Sequence, residues 1–445
     1  MNVRILSETY ANLSRMLHIG LRSTVARNAA SLYLIQFANY IVPLIIVPYL
    51  VRVLGPAGYG AVAFAQGFIN YLMLFVEYGF NWSATRKISV QREDHQAVNY
   101  TALHVWAAKG LLSLVGLGGL LLLIVFVPKL REVSRLLLAL YGLILGDVLF
   151  PTWLFQGMER MVAISVINLG MKLAILGGVF ALVHRPEDAL VYAALMGGGS
   201  VAAGLTGMVV AVRMFRLKLV RVSWSGILET LREGWILFLS RASVSLYTAG
   251  NAFILGMLTD HTVVGYYSAA EKVVKSILGL LGPLSQAAYP RFSKMAVESK
   301  AKALLWARRM LLLMGGAGFG LSLGIFLGAP LIVAVLLGPQ YGPSILVMRV
   351  IAFLPFLIAM SNVLGIQVMI PFGMDRVFTV ILFSAGVLNV VLAVLLAPIW
   401  QAAGMAFSVL FSEIFVTLTM FVYLYRRGFC LVSIGGFLGW SKTAS

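Results

Sequence analysis

Long apolar runs, each interrupted by polar residues at helical spacing, dominate this chain. Between Gln36 and Lys87 two runs long enough to cross a bilayer are joined by a short turn, LGPAGYG (Leu54–Gly60). In the second run Tyr59, Gln66, Asn70, Glu77 and Asn81 recur at steps of seven, four, seven and four, which puts them on one face of a helix. Lipid cannot satisfy such a stripe, so it must face water or another polar helix surface.

The same alternation of runs and short polar breaks continues to the end. It predicts twelve spans, at roughly 29–53, 58–80, 102–127, 135–156, 161–183, 189–212, 235–257, 263–290, 310–337, 344–370, 377–397 and 402–425. The runs are continuous and rich in Leu and Gly, unlike the ~10-residue alternating segments of a membrane β-barrel. Composition agrees: 60% of the 445 residues are hydrophobic, 11% are charged and the mean hydropathy is +0.94. A soluble chain is about 25% charged. The predicted fold class is therefore an all-α polytopic membrane protein.

The net charge of +18 would suit nucleic acid, but its placement points elsewhere. With alternating sides assigned to the loops, the side that holds the N-terminus carries 23 Lys and Arg, and the other carries four: Arg52, Lys129, Arg131 and Arg185. The positive-inside bias then predicts that both termini are cytoplasmic. The basic loops become topology signals whose natural partners are anionic lipid headgroups, with no role for nucleic acid. Residues 1–28 carry four arginines without a long apolar core or a small-residue cleavage pattern. They are expected to form a cytoplasmic segment, not a cleaved signal.

A basic stretch near 213–234 separates six spans from six, giving an N-lobe over 29–212, a linker, a C-lobe over 235–425 and a tail over 426–445. An internal repeat supports this division. A shift of 205 residues brings Gly60 onto Gly265, Ala65 onto Ala270, Gln66 onto Glu271, Asn70 onto Lys275, Asn81 onto Gln286 and Arg86 onto Arg291. Gly157-Met158-Glu159-Arg160 ends the fourth span as Gly373-Met374-Asp375-Arg376 ends the tenth. An even number of spans in each half relates the halves by a pseudo-two-fold axis along the membrane normal, with a substrate path between them.

Charged residues fall inside the predicted spans: Glu77, Lys109, Arg135, Asp147, Lys172, Arg241, Glu271, Lys272, Lys275, Arg349 and Glu413. Each costs roughly 2.5–3.5 kcal/mol at mid-bilayer on insertion scales, so each needs a compensating environment. Arg135 and Lys109 read as helix-end anchors that snorkel. Several of the others fall on polar stripes: Ser165, Asn168 and Lys172; Arg241, Ser245 and Thr248; Ser268, Glu271, Lys272 and Lys275; and Arg349 with Gln367 five turns on. Buried ion pairs such as Asp147–Lys172 or Glu271–Lys275 would neutralise some of them. Five cations, Lys172, Arg241, Lys272, Lys275 and Arg349, exceed what such pairs absorb. The surplus suits an anionic headgroup such as a diphosphate, gripped by Arg in a bidentate manner and by Lys as a point charge. Pro43, Pro48, Pro151, Pro283 and Pro355 interrupt spans and are candidate bending points; Pro43 and Pro48 stand out as a pair. Gly197-Gly198-Gly199 reads as a close helix contact.

Catalytic patterns are poor. None of the five histidines pairs at metal-ligand spacing, the single Cys430 allows neither a disulfide nor a thiolate metal site, and there is no nucleophile elbow or Walker loop. No cofactor is expected, and any driving energy must come from ion or voltage gradients or from substrate concentration.

The opening stretch carries a resemblance. IVPYLVRVLGPAGYG (Ile46–Gly60), YGFNWSATRKIS (Tyr78–Ser89) and FPTWLFQGMER (Phe150–Arg160) resemble Wzx-type polysaccharide-biosynthesis flippases, which share a superfamily with MATE exporters and lipid II flippases. The resemblance spans nearly the whole chain. It implies a bacterial inner-membrane protein with a MATE-like fold. Such a protein moves undecaprenyl-diphosphate-linked oligosaccharide outward by alternating access, alongside a polysaccharide polymerase and chain-length machinery. It also implies a cationic cavity, matched here by Arg241, Lys272, Lys275 and Arg349. Gln66 and Asn70 would line its other wall, while Glu77, Asp147, Glu271, Pro43 and Pro48 are candidates for coupling or gating. The lipid II flippases usually have two further helices, which the twelve predicted spans do not provide. The rival within the same fold is a cation-coupled drug exporter using Asp147, Glu77 or Glu271 as its ion site. A membrane glycosyltransferase would need a carboxylate-rich loop outside the membrane, and the short loops on the less basic side contain none.

Overall fold

The computed structural model describes residues 24–429 except 219 and 249. Inside helices the side chains of 24–41, 236, 240, 241, 243, 244, 246–248, 280, 283, 284, 286, 287, 290 and 291 are also outside the described part. The described chain is helical, with no strand among the described residues. Its helices are α1 (Thr24–Glu77), α2 (Phe80–Val90), α3 (His95–Phe126), α4 (Ser134–Leu140), α5 (Gly142–Leu149), α6 (Thr152–Gly157), α7 (Met161–Leu182) and α8 (Ala189–Met214). There follow α9 (Trp224–Thr248), α10 (Asn251–Leu258), α11 (His261–Leu278), α12 (Gly282–Glu298), α13 (Lys300–Ile332), α14 (Ser344–Ile351), α15 (Leu354–Asn362) and α16 (Asp375–Arg426).

Eight helices among the described residues are long and apolar enough to cross a membrane. α11 is not one of them, because Glu271, Lys272 and Lys275 crowd its 18 residues. α1 and α16, at 54 and 52 residues, are far longer than one crossing needs. At 1.5 Å per residue each would extend ~80 Å, more than twice the ~30 Å apolar slab. Each is interrupted at one residue. In α1 that residue is Gly55, whose φ of 66° few side chains tolerate, followed by Pro56. The expected LGPAGYG turn is thus confined to a single residue. In α16 it is Gln401, and the chain doubles back there: a Cβ on Gly404 would collide with the carbonyl of Leu396, eight residues earlier.

By contact the described chain divides into two compact units. One holds residues up to Val42 together with Ile69–Arg241; the other holds Pro43–Phe68 and everything from Ala242 on. The stretch 43–68 therefore associates with residues of the later half, although it precedes most of the first in sequence.

In the first unit α8 lies along α4 and α5. The Gly197 backbone presses on Ala139 and Gly142, where any Cβ would collide, as the glycine triplet predicts. α2 packs on α6: the Thr85 hydroxyl donates to the Trp153 carbonyl at 3.2 Å, and Arg92 binds the Gly157 carbonyl at 3.1 Å and Glu159 at 2.9 Å.

In the second unit the Pro43–Phe68 arm crosses α11 and packs on α10, with Phe64 stacked on Phe253 at 5.5 Å. A Cβ on Gly60 would strike the carbonyl of His261, and one on Gly265 that of Pro56. Gly60 and Gly265 are 205 residues apart, and so are Pro56 and His261. The crossing is reciprocal in the way a two-fold axis requires.

Candidate functional site

The polar stripe of the opening stretch is neither continuous nor open. α1 ends at Glu77, and Gly79, at φ 83°, starts α2 in a new direction, so Asn81 lies beyond a break. Tyr59 and Glu77 are buried, while Gln66, Asn70 and Asn81 are half-buried. The contact division also falls inside the stripe, placing Gln66 in the second unit and Asn70 and Glu77 in the first. A left-handed glycine two residues past Glu77 ends the periodicity on which the single-face reading relied.

In the first unit Lys109 and Lys87 are each paired with carboxylates. Lys109 is no helix-end anchor. It lies mid-way along α3, is 1% exposed, and its Nζ donates to both Oδ2 and the main-chain oxygen of Asp147 at 2.7 Å. Asp147 is thus held by Lys109, 38 residues away in sequence, and not by Lys172. Lys172 itself is half-buried. Where α2 meets α9, an open hollow of about 600 Å³ is lined by Arg86, Lys87, Trp82 and Glu233. Lys87 bridges Glu233 at 2.9 Å and Glu229 at 3.3 Å, so its charge is balanced locally. Arg241 is on α9, but its side chain lies outside the described residues.

The second unit differs. α11 packs against α14, so the helix bearing Glu271, Lys272 and Lys275 adjoins the one bearing Arg349. Glu271 pairs with Lys275 at 3.0 Å, the i,i+4 pair that the sequence offers, and accepts a 2.9 Å hydrogen bond from the Tyr267 hydroxyl. Lys272 is exposed and forms no ion pair among the described residues. Arg349 is also exposed, its guanidinium 5.7 Å from the Phe326 ring centre. Gln367 does not share its face: it is buried, donating to the Ser285 carbonyl at 2.8 Å. The turn at Ala352–Phe353 between α14 and α15 and the π-helical turn Val363–Met369 rotate the register that the sequence spacing assumed.

Pro43 and Pro48 lie within α1, Pro43 where the chain enters the second unit. Pro151 precedes α6 and Pro355 opens α15, positions where proline sacrifices no helix hydrogen bond. Pro283 and Gln286 have side chains outside the described residues, and Cys430 lies outside them altogether.

One in-span charge has no role assigned from the sequence. Glu413, on the second arm of α16, is 6% exposed and accepts a 2.9 Å hydrogen bond from the Ser361 hydroxyl. It forms no ion pair among the described residues. Its position inside a span was visible in the sequence, but its lack of a cationic partner among the described residues depends on tertiary packing. Among the described residues no cluster of His, Cys, Asp and Glu could hold a metal ion.

Comparison with known proteins places this arrangement. Residues 25–296 match the family described as polysaccharide biosynthesis protein. A protein of Escherichia coli (strain K12), provisionally described as an O-antigen transporter, is 32% identical over 401 residues, covering 90% of this chain and 97% of its own. One of Shigella dysenteriae with the same description is 29% identical over 396 residues, covering 88% and 98%. Among solved structures, the lipid II flippase MurJ in an inward closed conformation superposes with a TM-score of 0.69 at 12% identity, covering 90% of this chain and 88% of its own. An inward-facing MATE-family transporter of the MOP superfamily gives 0.61 at 15%, covering 89% and 95%. At these identities the two structures speak for the fold alone.

Proposed function

This chain belongs to the polysaccharide biosynthesis protein family, and on that premise we propose that it carries undecaprenyl-diphosphate-linked oligosaccharide, an O-antigen or exopolysaccharide repeat unit, across the bacterial inner membrane. It is a multi-pass helical membrane protein of the lipid-linked polysaccharide flippase type, and the relatives it matches are transporters. The observation that carries the reading is the match to O-antigen transporters over nine-tenths of the chain.

The finer mechanism rests on chemistry. Lys272 and Arg349 are exposed cations on helices that pack together, and neither pairs with a carboxylate among the described residues. Such groups suit diphosphate oxygens, Arg349 through its fork and Lys272 as a point charge. Lys275, half-open and shared with Glu271, is a further candidate; Arg241 and Lys172 remain candidates from the sequence. Gln66 and Asn70 are candidates for sugar contacts. Both termini are assigned to the cytoplasm by the Lys and Arg asymmetry, and the two six-span lobes are the moving parts. Pro43 and Pro48 are placed as bending points, and Glu77 as a gating residue. Membrane lipids, the polymerase and the chain-length machinery are the expected partners. In the drug-exporter reading Asp147 and Glu271 would each have to exchange a lysine partner, Lys109 and Lys275, for the coupling ion.

Deletion of the gene tests the proposal. Lipid-linked repeat units should accumulate on the cytoplasmic leaflet while surface glycan disappears. Unchanged glycan with altered drug sensitivity would overturn it.

A further inference from the structure

The second unit contains a buried acid that the cationic site does not use. Glu413 sits near the middle of the returning arm of α16, 12 residues past Gln401. Among the described residues its hydrogen bond is from the Ser361 Oγ on α15. The neighbouring hydroxyls are occupied elsewhere: Ser412 donates to the Ser408 carbonyl at 2.8 Å and Thr417 to the Leu357 carbonyl at 3.2 Å. Asn389, 12 residues before Gln401 and so at about the same depth in the hairpin, is 0% exposed, with both amide atoms unbonded among the described residues.

The elements packed most extensively on α16 are α10, α11, α14, α15 and the π-turn after α15. α10, α15 and the π-turn carry no titratable residue. α14 carries Arg349, which lies over Phe326. α11 carries His261, Tyr266, Tyr267, Glu271, Lys272 and Lys275. None of these cations pairs with Glu413. An ionised carboxylate buried with a single neutral donor is strongly disfavoured; without a cation it takes up a proton from water and becomes neutral. An ionisable group inside a membrane span, placed so, is a functional site by default.

We propose that Glu413 is a proton-carrying site, neutral while Ser361 holds it and giving its proton to water when α15 and the returning arm of α16 part. The step balances: one proton is bound by the carboxylate and the same proton leaves, with no other bond changed. Its use in driving transport rests on the flippase reading; the site itself does not.

Infrared difference spectra of the full chain in lipid nanodiscs, recorded between neutral and alkaline pH, test it. The wild type should show the C=O stretch of a protonated carboxylic acid at neutral pH, lost at alkaline pH. Glu413→Gln should lack this band, and Ser361→Ala should keep it at a higher frequency, because the donor to the carbonyl is gone. A spectrum in which Glu413→Gln retains the full band, or in which the wild type has none, overturns the proposal. In proteoliposomes loaded with lipid-linked oligosaccharide from a deletion strain, an imposed pH gradient should change the wild-type flipping rate and leave that of Glu413→Gln unchanged. If Glu413→Gln responds to the gradient as the wild type does, the coupling role fails. If the wild type moves no lipid yet the Glu413-dependent band is present, the proton site stands and the flippase reading falls.

Discussion

Asp147 in the first unit and Glu413 in the second are carboxylates on apolar helices, and the protein treats them in opposite ways. Asp147 is locked to a lysine buried to 1% exposure, with a main-chain oxygen completing the clamp. Glu413 has one serine hydroxyl. The cations of the second unit that could have neutralised it, Lys272 and Arg349, stay on exposed faces instead. A closed pair between a buried lysine and a half-buried aspartate fixes two helices together and leaves the lysine no capacity for a ligand. An acid and cations kept apart each retain unsatisfied capacity, the acid for a proton and the cations for an anion. We read the first pair as structural and the separated groups as functional.

The comparison can be broken most forcefully at Asp147. Asp147→Ala strands the Lys109 charge, and removal of one partner of a buried pair costs about 3–5 kcal/mol. Thermal unfolding in detergent should show a large loss, and Lys109→Met with Asp147→Leu should recover most of it. Retained function in that double variant would confirm that the pair only holds helices together. Ser361→Ala removes one neutral hydrogen bond, so its effect on unfolding should be about 0.5–1.5 kcal/mol. A loss as large as that of Asp147→Ala would mean that Glu413 is ionised and leans on Ser361 far more than a neutral acid would. Lys87→Ala, at a half-open triad with Glu229 and Glu233, should cost about 0–1 kcal/mol, read as a slight change in the same melt. The smallest stability effect is expected at Lys272. Lys272→Gln removes an unpaired exposed charge and should stay within about 0.5 kcal/mol of wild type. Its effect should fall on transport.

What the sequence made legible was local. The helical fold class, the glycine triplet at a close contact and the Glu271–Lys275 pair all follow from spacing within a few turns. The 205-residue repeat is also visible in sequence, and the reciprocal Gly60–Gly265 crossing gives it a physical meaning. Lys109 was misread because its partner lies 38 residues away, where no periodicity reaches. Arg349 and Gln367 were placed on one face because the spacing presumed a straight helix, and a π-turn separates them. The stripe ending at Asn81 failed for a related reason, since Gly79 redirects the chain. Glu413 is visible as a charge in a span, but only the fold reveals that it pairs with no cation among the described residues.

The central claim is that the open cations of the second unit handle an anionic lipid headgroup. It is tested most directly by complementing the deletion strain with Lys272→Gln and with Arg349→Gln, then measuring surface glycan, lipid-linked intermediates and protein level together. Both variants should show normal protein levels, little surface glycan and accumulated lipid-linked repeat units. Full surface glycan with no accumulated intermediate in both would contradict it.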